Sequence, residues 1–286
     1  MRGPGLVSPM PLLRGAFQWL FGTLFALSLI AFFLAINGMQ LTSPGTAQRI
    51  LSRAVADLTE IDAALPTIQA DLVETAQTSQ ETTVTVPHFP MAVELPREEA
   101  TTISTAELRS RLLSEAAAAI YKDGMSVWAM GDPEAKQDID LLSPEGGVQR
   151  GLGLLSDDNH RALRIAAIVL GLISFILGGL VFVSTKGMGR LVALGAGLLG
   201  AAMPSLTAAV AVRFVFFTAR EDQHDYLIAR LLDLGNDASW LALRNYTILT
   251  LLGLWLVVLG FGLVLVEIRQ RAIAAGRVVD NNPPEA

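Results

Sequence analysis

Four stretches of the chain consist almost entirely of apolar residues. They cover residues 16–36, 163–184, 191–212 and 247–266. Only Arg164, at one edge, carries a charge, and each stretch is close to the roughly 20 helical residues that the hydrocarbon core of a bilayer requires. Trp19, Trp240 and Tyr246 lie near the ends, where amphipathic rings prefer the membrane interface. The pattern predicts an all-α integral membrane protein with four transmembrane helices.

The first stretch has a second interpretation, because Arg2 and Arg14 precede it as basic residues precede the apolar core of a secretory signal. The stretch is longer than the usual apolar core, and "FFLAINGMQ" offers no small-x-small cleavage site. The sequence therefore favours a retained helix over a cleaved signal.

Composition agrees with a membrane protein. Hydrophobic residues make up 52% of the chain and charged residues 17%, against about 25% charged residues in soluble domains. The chain has no cysteine, which excludes disulfides, thiolate nucleophiles and cysteine-ligated zinc. Of its 27 acidic residues, 24 lie in residues 37–162 and 213–246. These two segments between the apolar stretches are therefore predicted to face water.

Lysine and arginine in short loops set the predicted orientation. Lys186 and Arg190 lie between the second and third stretches, and three arginines follow the fourth. Arginines at the opposite ends weaken this bias: Arg161, Arg164, Arg213 and Arg244. The predicted order in the cell membrane is a cytoplasmic tail (1–15), an extracytoplasmic domain (37–162), a cytoplasmic turn (185–190), an extracytoplasmic helical segment (213–246) and a disordered cytoplasmic tail (267–286).

The domain at 37–162 is predicted to be mainly helical with a minor β component. Ser43 and Pro44 fit the N-cap and first position of a helix. Apolar residues then recur in steps of three and four as one continuous stripe: Leu51, Val55, Leu58, Ile61, Leu65, Ile68 and Leu72. A second helix is predicted from a capping box at Ser104 and Glu107 to Gly124, with Leu108, Leu112, Ala116 and Ile120 on its buried face. The intervening "ETTVTVPHFPMAVEL" predicts a short strand or extended arm.

The segment 213–246 is predicted to continue the third transmembrane helix into water as one rod through Leu234. Gly235 is a helix stop signal, and Asp237 fits the cap of a new helix that leads into the fourth stretch.

The run "GAGLLG" at 195–200 has the G-x-G-x-x-G spacing of a dinucleotide-binding loop. That motif needs a strand before it, a helix after it and an acidic residue about 20 positions later. None of these is present, because the run lies inside an apolar helix and "VFF" stands where the acid is needed. We therefore predict no nucleotide and no other cofactor.

The same glycines have a better explanation in helix packing. Small residues recur every four positions from Gly189, and such rows let membrane helices approach closely. The predicted packing residues are Gly189, Ala193, Gly197, Gly200, Ala201, Ser205 and Ala209. The partner helix belongs to the same chain or to a second copy. Pro204 predicts a static kink or, alternatively, a hinge.

A weaker constellation concerns metal binding. The sequences "SDDNH" and "EDQHD" flank the second and third apolar stretches and would offer carboxylates and imidazoles on one side of the membrane. The candidate ligands are Asp157, Asp158, His160, Glu221, Asp222 and His224. Helix capping and a solvated helix surface explain the same residues more simply.

No catalytic motif is present, and the acidic chain with its scattered arginines does not predict nucleic-acid binding. We predict a non-enzymatic four-pass membrane protein that is embedded in the lipid bilayer and able to self-associate, and whose extracytoplasmic domain binds a protein partner or ligand. The alternatives are a transporter or channel subunit with a proline-broken third helix, and a metal-dependent ectodomain that acts as an enzyme or sensor.

Overall fold

The computed structural model of the chain describes residues 10–124, 151–185, 187, 189–221 and 226–280. Within these residues it contains eight main helices and one two-stranded sheet. In chain order they are α1 (Met10–Leu41), α2 (Pro44–Leu58), α3 (Ile61–Thr78), β1 (Thr83–Thr85), β2 (Glu94–Pro96), α4 (Arg97–Thr102), α5 (Thr105–Asp123), α6 (Asp157–Ser184), α7 (Gly189–Glu221) and α8 (Tyr226–Asp280).

Four of these helices are long and apolar enough to cross a membrane, as predicted. The qualifying segments are Phe17–Leu41, Asp157–Ser184, Gly189–Arg220 and Gly235–Ile273. Large apolar side chains on them are exposed, for example Phe175 at 80% and Val183 at 74%. An exposed apolar side chain is costly in water but not in lipid, which is as apolar as the side chain itself. The chain is an all-α multi-pass membrane protein.

The chain divides into two compact units. The first, which we call the span unit, contains Met1–Ala35, Ile165–Val212 and Trp240–Ala286. The second, the domain unit, contains Ile36–Arg164 and Arg213–Ser239. Each unit is described by itself below.

The core of the domain unit forms where α5 packs on α2 and α3. The capping prediction for α5 is confirmed, since the Ser104 hydroxyl accepts a hydrogen bond from the backbone N–H of Glu107 at 3.3 Å and Gly124 ends the helix with a positive φ of 78°. The four predicted core residues of α5 are all buried at 2% exposure or less: Leu108, Leu112, Ala116 and Ile120. Leu152 and Leu155, which precede α6, join the same core.

The predicted continuous helix after Ser43 is wrong in one respect, because it breaks into α2 and α3. Glu60 adopts a left-handed conformation with φ 46° and ψ 39°, which ends one helix and redirects the next. Leu58 in the stripe is 36% exposed, whereas Leu51 and Ile61 on either side of the break are buried. The break lets two short helices, rather than one straight rod, cover the same core.

The extended segment forms a small antiparallel hairpin. Val84 of β1 lies opposite Leu95 of β2, and both side chains are buried while their strand neighbours are exposed. The alternation of threonine and valine therefore places one apolar face of the hairpin against the helical core. His88 in the connecting loop has a positive φ of 58° and lies 3.3 Å from the Asp71 carboxylate.

The prediction of a single rod through Leu234 is wrong. Arg220 near the end of α7 forms an ion pair of 2.7 Å with Asp233, a distance that a straight helix of that length could not allow. The chain therefore reverses direction between α7 and α8. Gly235 does not end a helix either. It lies inside α8, where a Cβ atom would meet the Phe216 ring at 2.9 Å, so this glycine permits close approach of α7.

Two further expectations about α8 are corrected. The helix continues to Asp280, although residues 267–286 were expected to be a disordered tail. Residues 281–286 lie outside the described part of the chain. Tyr246 is only 4% exposed and its ring centroid lies 6.4 Å from that of Phe33, so it packs inside the span unit instead of facing the interface.

Candidate functional sites

The predicted metal ligands on α6 are engaged in other contacts. Asp157 accepts a hydrogen bond from Arg161 one helical turn later. The His160 Nδ1 atom lies 3.1 Å from the Met39 carbonyl oxygen, at the carboxyl end of α1. Because a carbonyl oxygen only accepts, the proton of this contact belongs to Nδ1. This hydrogen bond therefore connects the start of α6 to the end of α1.

The rest of the predicted metal cluster is only partly visible. Asp222 and His224 lie outside the described residues, and Glu221 is described only in its backbone, as the last residue of α7. Among the described residues, no three His, Asp or Glu side chains are arranged to hold a metal ion. The site of six ligands stays a prediction.

A buried polar cluster that the sequence analysis missed surrounds His160. Thr42 is 4% exposed and its hydroxyl donates to the Gly38 carbonyl at 2.8 Å. The Tyr121 hydroxyl donates to the Thr42 carbonyl at 3.1 Å, which ties the end of α5 to the end of α1. Burial raises the pKa of Tyr121, and nearby Asp157 adds to the shift. One sequence signal was available, because Leu113, Ala117 and Tyr121 follow each other in steps of four on the buried face of α5.

In the span unit, Phe25 of α1 lies between glycines of two other helices. A Cβ atom on Gly178 of α6 would lie 3.0 Å from the ring, and one on Gly197 of α7 would lie 2.6 Å from it. Both distances are shorter than normal carbon contacts of about 3.5 Å or more. Phe25 itself is 6% exposed. The two glycines thus form the space in which this ring is held.

The seven predicted packing residues differ in their surroundings. Ala201 is fully buried with Phe25 and Leu29, and Ala193 packs against the same cluster. Ala209 is 8% exposed. A Cβ atom on Gly200 would reach only Ala26, at 3.8 Å, and one on Gly189 would meet nothing within 4 Å. The Ser205 hydroxyl bonds the Ala201 carbonyl of its own helix at 2.9 Å. The row is therefore enclosed in its middle and open at its start.

The contact between α1 and α6 repeats at an interval of seven residues. Gly171 faces Phe32 in the same way that Gly178 faces Phe25, with a Cβ atom on Gly171 placed 2.9 Å from the ring. Between these pairs, the Ser174 hydroxyl donates to Ser28 at 3.0 Å. The seven-residue spacing of the two glycines matches that of the two phenylalanines, and this match is visible in the sequence.

The glycine run "GAGLLG" lies within α7, and its glycines face two neighbouring helices. Gly197 faces Phe25, whereas Gly195 faces α8, where a Cβ atom would lie 2.8 Å from the backbone oxygen of Gly253. Gly260, two helical turns further along α8, is equally close to Val192. The backbones of α7 and α8 therefore approach closely where at least one of the two helices carries glycine.

Pro204 lies inside α7 without ending it. Its side chain is exposed, as are those of Met203 and Thr207 on the same turn of the helix. Proline removes the hydrogen bond to the carbonyl four residues earlier, that of Gly200. The hydroxyls of Ser205 and Thr207 bond the carbonyls of Ala201 and Met203 instead. Whether the position acts as a hinge stays a prediction.

Comparison with known proteins gives no match, either to a protein-family model, to a curated protein or to a solved structure. The class is therefore defined by the fold alone: a helical multi-pass membrane protein with four membrane-crossing helices and a separately packed unit built from the segments between them.

Proposed function

We propose that this protein is a non-enzymatic membrane subunit whose domain unit lies outside the cytoplasm and binds a protein partner or ligand as a scaffold, accessory or sensor. The observation that carries the proposal is the composition of the domain unit. Its two segments come from different places in the chain, one between the first and second spans and one between the third and fourth. Two membrane crossings separate them, so both emerge on the same side.

Contacts within the domain unit support this arrangement. The Arg53 guanidinium on α2 lies 3.1 Å from the Asp237 carboxylate near the start of α8. Phe216 of α7 packs on Gly235, and Arg220 pairs with Asp233. The second segment is thereby folded as a helical hairpin and is joined to the first by a charge pair. Two separate segments that pack into one body form a continuous surface, which is suited to recognition of a partner.

Away from the end of α7, the described surface of this body is mainly polar and charged around an apolar core. Its ion pairs include Arg109 with Asp62 and Arg111 with Glu115, all with substantial exposure. Exposed pairs of this kind contribute little to stability, but they shape the potential that a partner meets and so affect its selection. We infer that partner recognition uses charged surface.

The orientation rests on the basic residues near the short connection and the end of the fourth span. Arg190 donates to the Thr185 carbonyl at 3.1 Å and lies over the Phe182 ring, and Arg271 pairs with Glu267. By the order of the four spans along the chain, these residues emerge one crossing away from each domain segment. The positive-inside rule favours a cytoplasmic location for them.

Cysteine labelling tests the orientation directly, because the chain contains no cysteine of its own. Gln80 in the domain unit and Gln270 on α8 are both exposed glutamines, which makes them a matched pair. We expect Gln80→Cys to react with a membrane-impermeant maleimide in intact cells and Gln270→Cys to react only after the cells are opened. The reverse result would place the domain unit in the cytoplasm and overturn the proposal.

Partner binding is tested with a photo-crosslinking amino acid at Arg53, beside the junction of the two segments. Arg49, which bonds only the carbonyl of Gly45 in its own helix, is the control position on α2. We expect a specific crosslinked species from position 53 and none from position 49. Identical crosslinking from both positions would indicate nonspecific contact and count against the junction as the recognition surface.

A further inference from the structure

The outward face of α7 carries an apolar surface that continues past the end of the span unit. Val210 and Val212 in the span unit are 51% and 48% exposed. Immediately beyond them, in the domain unit, Phe214 is 66%, Val215 60% and Phe217 55% exposed. The exposed surface of α7 stays apolar from residue 210 to residue 217, because residues 210, 214 and 217 follow one another in helical steps on one face.

This surface is unusual within the domain unit. Apart from Phe214, Val215 and Phe217, the large apolar residues recorded as exposed among its described residues are Leu58 and Leu154. Three such residues within one turn of helix would form a contiguous apolar patch in water. Patches of that kind normally mark contact with another molecule or with a membrane.

The depth of the patch can be estimated from the length of α7. The part of this helix that is long and apolar enough to cross a membrane covers 32 residues, from Gly189 to Arg220. Phe214 is 25 residues and Phe217 is 28 residues from Gly189. At about 1.5 Å per residue, Phe214 lies about 38 Å and Phe217 about 42 Å from the start of the helix.

With the start of α7 at one edge of the bilayer, these distances end in the headgroup layer on the other side. The polar headgroup region adds roughly 5–7 Å to each side of a hydrocarbon core about 30 Å thick. Arg213 and Arg220 flank the patch, and basic residues are favoured at this level of a membrane helix. We propose that the interfacial layer of the lipid bilayer covers Phe214, Val215 and Phe217, so that the first helix of the domain hairpin is a membrane-surface contact and not a water-facing one.

Spin labels on single cysteines test this proposal in the full-length protein, reconstituted in vesicles of phosphatidylethanolamine and phosphatidylglycerol. Labels replace Phe214, Val215 and Phe217 one at a time, with Phe175 (80% exposed, on α6) as the lipid reference and Gln80 as the water reference. Collision rates with oxygen, which concentrates in lipid, and with a water-soluble nickel chelate report the depth. All three positions are more than half exposed, so each substitution removes few contacts, and circular dichroism checks that helix content is unchanged.

We expect all three labels to give depths between the two references, with a several-fold lower nickel collision rate than at position 80. A rate equal to that at position 80 would overturn the proposal, because the patch would then face water. Protection from both reagents would overturn it as well, because protein would then cover the patch. In that case, loss of spin-spin broadening on dilution with unlabelled protein would identify the cover as a second copy of the chain.

Discussion

Among the residues that the structure describes, only the domain unit buries large aliphatic side chains completely. Its fully buried residues include Leu51, Leu72 and Leu108 together with several alanines. The fully buried residues described in the span unit are Ala201 and Ala202, with Gly178 and Ser174 also buried. Burial of large aliphatic side chains stabilises a core in water through the hydrophobic effect. This driving force is absent between helices that are surrounded by lipid. In the span unit, stabilisation must come from close packing, so glycine, alanine and serine surround a few inserted rings.

The same contrast appears on the surfaces. The span helices expose large apolar side chains over most of their length, and the domain unit exposes few. Truncating a buried leucine should therefore reduce stability most in the domain unit. Adding a methyl group to a packed residue should reduce stability most in the span unit. The following substitutions test this contrast, beginning with the largest expected effect.

Leu112→Ala in α5 should destabilise the domain unit by about 2–5 kcal/mol, because it removes a fully buried side chain and leaves a cavity. Hydrogen exchange of the α5 amides, followed by mass spectrometry on the full-length protein in detergent, measures the loss. Leu58→Ala is the matched control, since Leu58 is 36% exposed and should change exchange much less. Equal effects of the two substitutions would contradict the assigned core.

Gly197→Leu should destabilise the span unit by about 1–3 kcal/mol, because the new side chain would overlap the Phe25 ring. Thermal unfolding in detergent measures the effect. Gly179→Leu is the control, as a Cβ atom there meets nothing within 4 Å.

The double variant Phe25→Ala with Gly197→Leu sharpens this test. If the two positions contact each other, the smaller side chain at 25 should restore part of the stability lost at 197, so that the two effects are not additive. Strict additivity would show that Gly197 is needed for another reason.

Ser104→Ala should cost about 0.5–2 kcal/mol, because the hydroxyl caps the first turn of α5. Ser114 in the same helix is exposed and its hydroxyl bonds only the Arg111 carbonyl, so Ser114→Ala serves as control. Chemical denaturation followed by exchange at the Glu107 amide measures the difference. An unchanged Glu107 amide in the Ser104 variant would contradict the capping role.

The smallest expected effect concerns a surface pair of the domain unit. The hydrogen bonds from Arg109 hold the pKa of the Asp62 carboxyl below its ordinary value. A lowered pKa means that the stabilisation is complete above the ordinary pKa of the carboxyl and disappears as the pH falls through the lowered value. We expect Arg109→Met to raise the pKa of Asp62 towards its ordinary range in a carboxyl NMR titration, and Arg49→Met to leave it unchanged. An unshifted Asp62 in both variants would show that the pair does not form in solution.

Several features follow from local sequence alone. Four apolar stretches of sufficient length predict the four membrane-crossing helices, and the capping box at Ser104 with Gly124 predicts both ends of α5. These signals are local, because they depend on residues within one or two helical turns of each other. Among the predicted site residues, Asp157 is also positioned locally, because it pairs with Arg161 one helical turn later.

Other features depend on residues far apart in the chain. The stop signal at Gly235 is overridden, because the absence of a side chain there lets Phe216 pack against α8. The helix after Ser43 breaks at Glu60, although its apolar stripe continues unbroken in sequence. His160 is placed by the carbonyl of Met39, 121 residues away, and not by a metal motif.

The sequence by itself determined which segments are apolar enough for lipid and where the strongest helix caps lie, since both depend on composition and spacing over a few turns. Only the tertiary structure decided which face each glycine presents, where the chain reverses after α7 and which polar groups meet at the end of α1. Glycine fits a turn, a helix end or a close helix contact equally well, and only the packed neighbour selects among them.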